Sequence, residues 1–146
     1  MMDRPIKIGV IDGQGGGIGS TIIKHLKASF GETVEIIALG TNAIATAQML
    51  KAKANRGASG ENAIMQTAPN LDVIVGPLAI VLANAMMGEV TAGMACAITG
   101  SAAPKILLPL TQEHVAIVGI SDNPLPHLVE EMVKSHLAKI IHELDA

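Results

Sequence analysis

The chain has 146 residues and a formal net charge of -3, and 49% of its residues are hydrophobic. It contains one Phe, no Trp and no Tyr, so it has no aromatic platform on which bases or a flavin ring could stack. The acidic balance, with no cluster of Lys and Arg, disfavours nucleic-acid binding, which needs cations to neutralise phosphates. We expect one domain over residues 1–146 and no nucleic-acid partner.

Hydrophobic periodicity predicts an alternation of strands and helices. Apolar, β-branched runs predict five strands, from Ile6 to Asp12, Val34 to Leu39, Val73 to Gly76, Ile106 to Leu110 and Val115 to Ile120. The segments between and after them predict helices from Ile18 to Phe30, Ala43 to Lys53, Glu61 to Thr67, Leu78 to Met87, Ala92 to Thr99 and Leu125 to Leu144. This alternation is typical of a three-layer Rossmann-like α/β sandwich with a mostly parallel sheet.

The order of the strands is predicted from their connections and their apolar character. The connection from Leu110 to Val115 is too short for a crossover helix, so the last strand is predicted to be antiparallel. The third strand has the most apolar pattern, which favours a position beside the first and the order 2-1-3-4-5, with 3-2-1-4-5 as the alternative. In both orders, the ligand crevice lies beyond the carboxyl ends of the strands, beside the first strand.

A glycine-rich stretch follows the first predicted strand, where the first helical pattern begins. Glycine lets backbone N–H groups approach an anion, and a helix start adds free N–H groups and a positive dipole end. We therefore predict that this stretch binds the phosphate of a nucleotide or another phosphorylated small molecule; the alternative is a purely structural turn. The predicted contacts are Gly13, Gln14, Gly15, Gly16, Gly17, Ile18 and Gly19.

The spacing of the glycines bears on the type of cofactor. The pattern G-x-G-x-x-G fails from Gly13, because Ile18 stands at its third glycine. The pattern G-x-x-x-G-x-G, met by Gly13, Gly17 and Gly19, resembles the nucleotide loop of short-chain dehydrogenases. That family uses a catalytic Tyr and Lys pair, and this chain has no tyrosine, so a short-chain dehydrogenase is excluded.

The second predicted strand ends without the carboxylate that many dinucleotide sites use to hold ribose hydroxyls. Thr41 and Asn42 follow it instead, and either could hydrogen-bond a ribose hydroxyl or a second phosphate, or cap the next helix. The cofactor therefore stays open, with a nucleotide or a dinucleotide both possible.

Three polar residues are the first candidates for catalysis. Asp12 ends the first strand, where it could act as a base or hold a metal ion; its simpler role is to accept N–H bonds and brace the glycine turn. Glu61 and Asn62 begin a short helix that Ser59 is predicted to cap. The usual nucleophile and base sets are missing, so whether the protein is an enzyme stays open.

The run from Val73 to Val90 is the longest apolar stretch, but Gly76-Pro77 and Asn84 interrupt it, so no membrane span is predicted. Asn84 and Glu89 could contact a ligand. The preferred alternatives make Asn84 a satisfied core amide and place Glu89 near the start of the helix after Thr91. The methionines predicted to suit a subunit interface, and hence a homo-oligomer, are Met86, Met87 and Met94.

Location and metal binding follow from what the sequence lacks. The amino terminus carries no charged, apolar and cleavable signal, so we expect a cytoplasmic protein without membrane partners. Cys96 is the single cysteine, and the five histidines show no spacing typical of metal ligands. No metal site is predicted.

Over nearly its full length, the chain resembles a small, uncharacterised bacterial family of single-domain Rossmann-like proteins. The motifs that carry this resemblance run from Ile11 to Gly19, Leu39 to Ala43 and Gly60 to Ile64, and include Gly76-Pro77 with the segment from Asn84 to Glu89. The family has no established activity, so the resemblance implies the fold and a grouping of these polar positions. Two functions stay open: a binder of a phosphorylated small molecule, and a noncatalytic regulatory or assembly module with a structural glycine loop.

Overall fold

The structure is a computed structural model, and it describes residues 4–110, 113–120 and 122–145. The strands are β1 Ile6–Asp12, β2 Val34–Gly40, β3 Arg56–Ser59, β4 Val73–Pro77 and β5 Lys105–Leu108. They form one sheet in the order β3-β2-β1-β4-β5, and each pair of neighbouring strands is parallel.

Helices connect the strands and cover the sheet. The α-helices are α1 Gly17–Phe30, α2 Ala43–Lys51, α3 Glu61–Thr67, α4 Ala92–Gly100, α5 Leu125–Glu131 and α6 Ala138–Leu144. Met132–Leu137 is a π-helix between α5 and α6, and Gly31–Thr33, Ala68–Asn70 and Leu78–Val81 are short 3-10 helices. Within the described residues, no helix combines the length and apolar character needed to cross a membrane.

The sheet has a hydrophobic core on each face, because successive strand residues point to opposite sides. Ile8 and Val10 pack on the side of α1, α2 and α5. Ile11 and Ile74 pack on the other side, against α3 and α4. Each fully buried side chain of this size contributes about 1.5–3 kcal/mol to the hydrophobic stabilisation. The three-layer Rossmann-like fold predicted from the sequence is confirmed.

One predicted strand is wrong, and one edge strand of the sheet was not predicted. The predicted antiparallel strand from Val115 to Ile120 is wrong, because these residues are exposed and pair with no described strand. Arg56–Ser59, which has no apolar run, instead forms the parallel edge strand β3. The side chain of Asn55 accepts a hydrogen bond from the N–H of Ile36 at 2.8 Å, and the N–H of Asn55 donates to the Ile36 carbonyl at 2.8 Å. These bonds align β3 with β2.

The strand order reflects this exchange of edge strands. With the observed strands numbered along the chain, the order is 3-2-1-4-5. These numbers match the predicted alternative, but they refer to different strands. The neighbours of β1 are nevertheless β2 and β4, as in the favoured order, which placed the Val73 strand beside the first strand. The numbering changes because β3 precedes β4 in the chain.

The predicted helix from Leu78 to Met87 is also wrong. Only Leu78–Val81 is helical, and it is a 3-10 helix. Residues 82–90 form a compact loop, closed by hydrogen bonds from Asn84 N to the Val90 carbonyl at 2.6 Å and from Val90 N to the Ala85 carbonyl at 3.1 Å. The loop has left-handed backbone at Asn84, Met86, Met87 and Gly88, with φ of 73°, 58°, 57° and 89°. Tertiary contacts therefore override the helical preference of Ala and Met.

Gly76 provides a test of the contact between β4 and β1. A Cβ atom at Gly76 would overlap the carbonyl oxygen of Ile11, so Gly76→Ala is expected to lower the free energy of unfolding by about 1–3 kcal/mol in urea titrations. Gly100→Ala is the matched control, because a Cβ there enters open space. Equal stability of the two variants would contradict the packing of β4 against β1.

Candidate functional site

The glycine loop, residues 13–16, connects β1 to α1, and the carboxylate of Asp12 holds its two ends together. Its Oδ1 accepts the N–H of Gly13 at 2.8 Å, and its Oδ2 accepts the N–H of Gly19 at 2.7 Å. Asp12 is 3% exposed. Both carboxylate oxygens are used in shaping the loop, which is the bracing role that we named as the simpler alternative.

The protonation of Asp12 reflects its burial. Burial raises the pKa of the carboxyl, the N–H groups of Gly19, Gly13 and Ile18 lower it in part, and the negative charge of Glu89 raises it further. The net pKa lies above the ordinary value for aspartate.

Gly16 turns the chain into α1. Its φ of 74° is left-handed, and its N–H donates to the Gly13 carbonyl at 2.9 Å. A Cβ atom at Gly16 would lie 2.7 Å from the carbonyl oxygen of Ala45 at the start of α2. The glycine at this position therefore allows α1 and α2 to begin side by side.

Glu89 joins the glycine loop to the residues that follow β2. Its Oε1 accepts three hydrogen bonds, from the N–H of Gln14 at 2.8 Å, from Thr41 Oγ1 at 2.7 Å and from Asn42 Nδ2 at 2.8 Å. The carboxylate that the sequence lacked at the end of the second strand is thus supplied by the 82–90 loop. Burial raises the pKa of Glu89, but the three hydrogen bonds together outweigh it, and the net pKa is lowered.

The preferred role of Asn84 is wrong, and Glu89 lies near the cap of α4 without capping it. Glu89 does not cap α4, because the side chain of Thr91 does so by accepting the N–H of Met94 at 3.0 Å. Asn84 is exposed at the left-handed start of the turn and is not a core amide. An acidic residue in an apolar run was the only sequence signal for Glu89, and it did not indicate the partner, because Gln14 lies 75 residues away.

Thr41 and Asn42 lie at the glycine loop, as the sequence predicted, but their donor groups are already engaged. Thr41 N donates to the Asp12 carbonyl at 3.0 Å, and Asn42 Nδ2 also donates to the Gln14 carbonyl at 3.0 Å. Asn42 Oδ1 accepts the N–H of Ala45 at 2.8 Å and caps α2. Both residues therefore hold Glu89 and the loop in place.

Glu61 and Asn62 lie at the same edge of the sheet without joining the glycine loop. Thr91 Oγ1 donates to Glu61 Oε1 at 2.9 Å, which places the Glu61 carboxylate at the start of α4. Asn62 is exposed, and its side chain makes no hydrogen bond within the described part of the chain. The prediction that Ser59 caps α3 is wrong, because Gly60 is the cap and Ser59 Oγ donates to Thr46 Oγ1 at 2.7 Å.

A cleft of about 330 Å³ opens beside the glycine loop. Its walls come from the end of β4 and from the segments that follow β1, β4 and β5. They lie at the carboxyl ends of the strands, beside β1, which has β2 on one side and β4 on the other. This is the crevice predicted for a sheet of this type. The residues that line it are Gln14, Ile18, Pro77, Ala79, Met86, Leu110 and Glu113.

The N–H groups at this edge differ in their availability. Those of Gly13, Gln14, Gly16 and Gly19 donate to protein acceptors. Those of Gly15 and Gly17 have no acceptor among the residues that the structure describes.

Residues 4–110, 113–120 and 122–145 contain no group of three or more His, Cys, Asp or Glu arranged to hold a metal ion.

Fold and site together define a Rossmann-like α/β domain with a glycine loop at the crevice of a parallel sheet. The chain belongs to the family described as Domain of unknown function (DUF3842), whose model matches residues 7–141. The comparison with curated proteins gives no match. Membership in a family of unknown function, which the motifs predicted, is confirmed, and the function must be argued from the site.

The two carboxylates of the loop are expected to titrate in opposite directions from their ordinary values. In a ¹³C NMR titration of side-chain carboxyl groups, Glu89 should titrate below the usual glutamate range and Asp12 above the usual aspartate range. Glu89→Gln identifies the Glu89 signal by removing it. A Glu89 signal at or above the usual glutamate pKa of about 4.3 would contradict the three-donor geometry.

The same shifts predict how stability depends on pH. Because the pKa of Glu89 is lowered on folding, its contribution is complete above pH about 4.3 and is lost as pH falls through the folded value. The raised pKa of Asp12 acts in the opposite direction, and its contribution is lost as pH rises through the folded value.

Proposed function

We propose that the protein binds a phosphorylated small molecule, such as a nucleotide, with its phosphate at the start of α1. The observation that carries this proposal is the pair of free N–H groups at Gly15 and Gly17, beside a cleft that Gln14 and Ile18 line. The helix that follows has 14 residues, and its dipole favours an anion at this end. A phosphate there would accept the two N–H groups.

The proposal divides the predicted glycine contacts into two groups. Gly13, Gly16 and Gly19 use their N–H groups within the protein, and they shape the loop. Gly15 and Gly17 are exposed and contact the phosphate. Ile18 contributes its side chain to the wall of the cleft.

The lining of the cleft favours a ligand with an apolar or planar part. Pro77, Ala79, Met86 and Leu110 present mainly apolar surface to it. A volume of about 330 Å³ is at the lower end of the range for small-molecule sites, about 300–1,000 Å³. These features support a ligand the size of a mononucleotide over a dinucleotide.

Gly17→Ala tests the phosphate position. A Cβ atom at Gly17 meets nothing within 4 Å in the protein, so the variant is expected to fold like the wild type. The added methyl group would lie beside the bound phosphate and is expected to weaken binding of AMP about tenfold, or about 1.4 kcal/mol, in isothermal titration calorimetry.

Gly100→Ala is the control for this variant, because it also adds a methyl group in open space, at the end of α4. It is expected to bind AMP with wild-type affinity. Equal AMP affinity for the two variants would contradict the placement of the phosphate at the start of α1.

A second candidate function is a noncatalytic module that assembles with further copies of the chain. Met87 and Val118 are 96% and 98% exposed, and Val115, Ile117 and Ile120 are also exposed. Exposed apolar surface is typical of interaction sites. Of the three methionines predicted for an interface, Met86 and Met94 are buried in the core, so only Met87 supports this candidate.

The cytoplasmic location stays a prediction.

Light scattering after size-exclusion chromatography tests this candidate. An assembly through the exposed segment should have a mass that is a multiple of 15.0 kDa, and Val118→Asp should reduce it to one chain. Leu50→Asp, at an exposed apolar residue of α2, is the control and should leave the mass unchanged. A wild-type protein that is monomeric at high concentration would exclude the assembly.

A further inference from the structure

The hydrogen bonds around Glu89 use the side-chain donors of Thr41 and Asn42 and leave one carboxylate oxygen as an acceptor after the end of β2. The N–H of Gln14 and the side chains of Thr41 and Asn42 all donate to Glu89 Oε1. Glu89 Oε2 accepts no hydrogen bond from any described residue. A ligand group that reaches this position therefore meets a carboxylate oxygen, and it can be held there only if it donates a hydrogen bond.

The charge at this position points the same way. The lowered pKa of Glu89 keeps its carboxylate ionised at neutral pH. The ion pairs of the described residues join Arg4 to Asp72, Arg56 to Glu35 and Lys134 to Glu130, so none brings a cation to Glu89. A second phosphate placed beside Glu89 would meet the negative charge of its carboxylate.

The carboxylate is held in place before any ligand arrives. Three donors fix Oε1, and the N–H of Glu89 donates to the Met86 carbonyl at 3.1 Å. The left-handed backbone at Met86, Met87 and Gly88 carries the chain into this position. Backbone of this kind costs free energy at the two methionines and is found where surrounding contacts enforce it, often at ligand sites.

We propose that Glu89 determines specificity by accepting a ligand hydroxyl on Oε2 and by excluding a second phosphate. The inference rests on the proposed function, since it supposes a first phosphate at Gly15 and Gly17. It narrows the ligand class to phosphate monoesters that carry a free hydroxyl group, such as a nucleoside 5′-monophosphate. The bond from Gln14 N to Glu89 fixes the hydroxyl position relative to the phosphate position.

Calorimetric titrations with three probes test this inference on the wild type: AMP, 2′,3′-dideoxy-AMP and adenosine 3′,5′-bisphosphate. AMP should bind at least about tenfold more tightly than its dideoxy analogue, which is the effect of losing a hydrogen bond to a charged group. Adenosine 3′,5′-bisphosphate should bind more weakly than AMP, because its second phosphate replaces a ribose hydroxyl and adds negative charge beside Glu89.

Glu89→Gln is the informative variant. Its Oε1 can still accept the three hydrogen bonds, while the second oxygen is replaced by an NH₂ group that donates. The preference for AMP over the dideoxy analogue should fall to less than about twofold. Binding of adenosine 3′,5′-bisphosphate should strengthen, because the negative charge at residue 89 is gone. Glu32→Gln removes one exposed carboxylate elsewhere and should behave like the wild type.

The outcomes separate this inference from the proposed function. If AMP and its dideoxy analogue bind the wild type equally well, the role of Glu89 is overturned while phosphate binding stands. If none of the three probes binds, the proposed function fails and the role of Glu89 fails with it. The wild-type comparison decides the matter even if Glu89→Gln does not fold, because it uses no variant.

Discussion

The buried carboxylate of Asp12 ties the end of β1 to the first turn of α1, and the shape of the site depends on this contact. It accepts hydrogen bonds from the N–H groups of Gly13 and Gly19, so the glycine loop folds around the carboxylate. The burial of a charge in this position is costly and raises the pKa of Asp12, and the N–H bonds offset part of that cost. The loop can then leave the N–H groups of Gly15 and Gly17 exposed beside the cleft.

Glu89 adds a second carboxylate at the same edge, with a different consequence. It takes the N–H of Gln14, which a bound phosphate could otherwise use, and it engages the donors of Thr41 and Asn42. The anion-binding capacity of the loop is therefore partly filled from within the protein. The groups still available to a ligand are the N–H groups of Gly15 and Gly17, the apolar cleft and Glu89 Oε2. This combination supports a small monophosphate ligand and disfavours one with a second phosphate beside Glu89.

The sequence predicted the features that depend on local pattern. The strands β1, β2 and β4 were recognisable because their burial requires apolar runs in the sequence. The glycine loop was recognisable because it lies between such a run and a helical pattern. Arg56–Ser59 was missed because it is a strand only through its bonds to β2 and its neighbour Asn55. The turn at Met86 and Met87 opposes local propensity, and the bond from Gln14 to Glu89 spans 75 residues. Such contacts leave no periodic signal in the sequence.

We propose that a phosphate binds at the start of α1, beside the N–H of Gln14, which already donates to Glu89. An ¹⁵N-labelled sample titrated with AMP tests it at individual amides in heteronuclear NMR spectra. We expect the largest shifts at the N–H groups of Gly15 and Gly17 and a small shift at Gln14, whose hydrogen bond to Glu89 persists. Shifts confined to residues outside 13–19, or no shifts at millimolar AMP, would contradict this binding site.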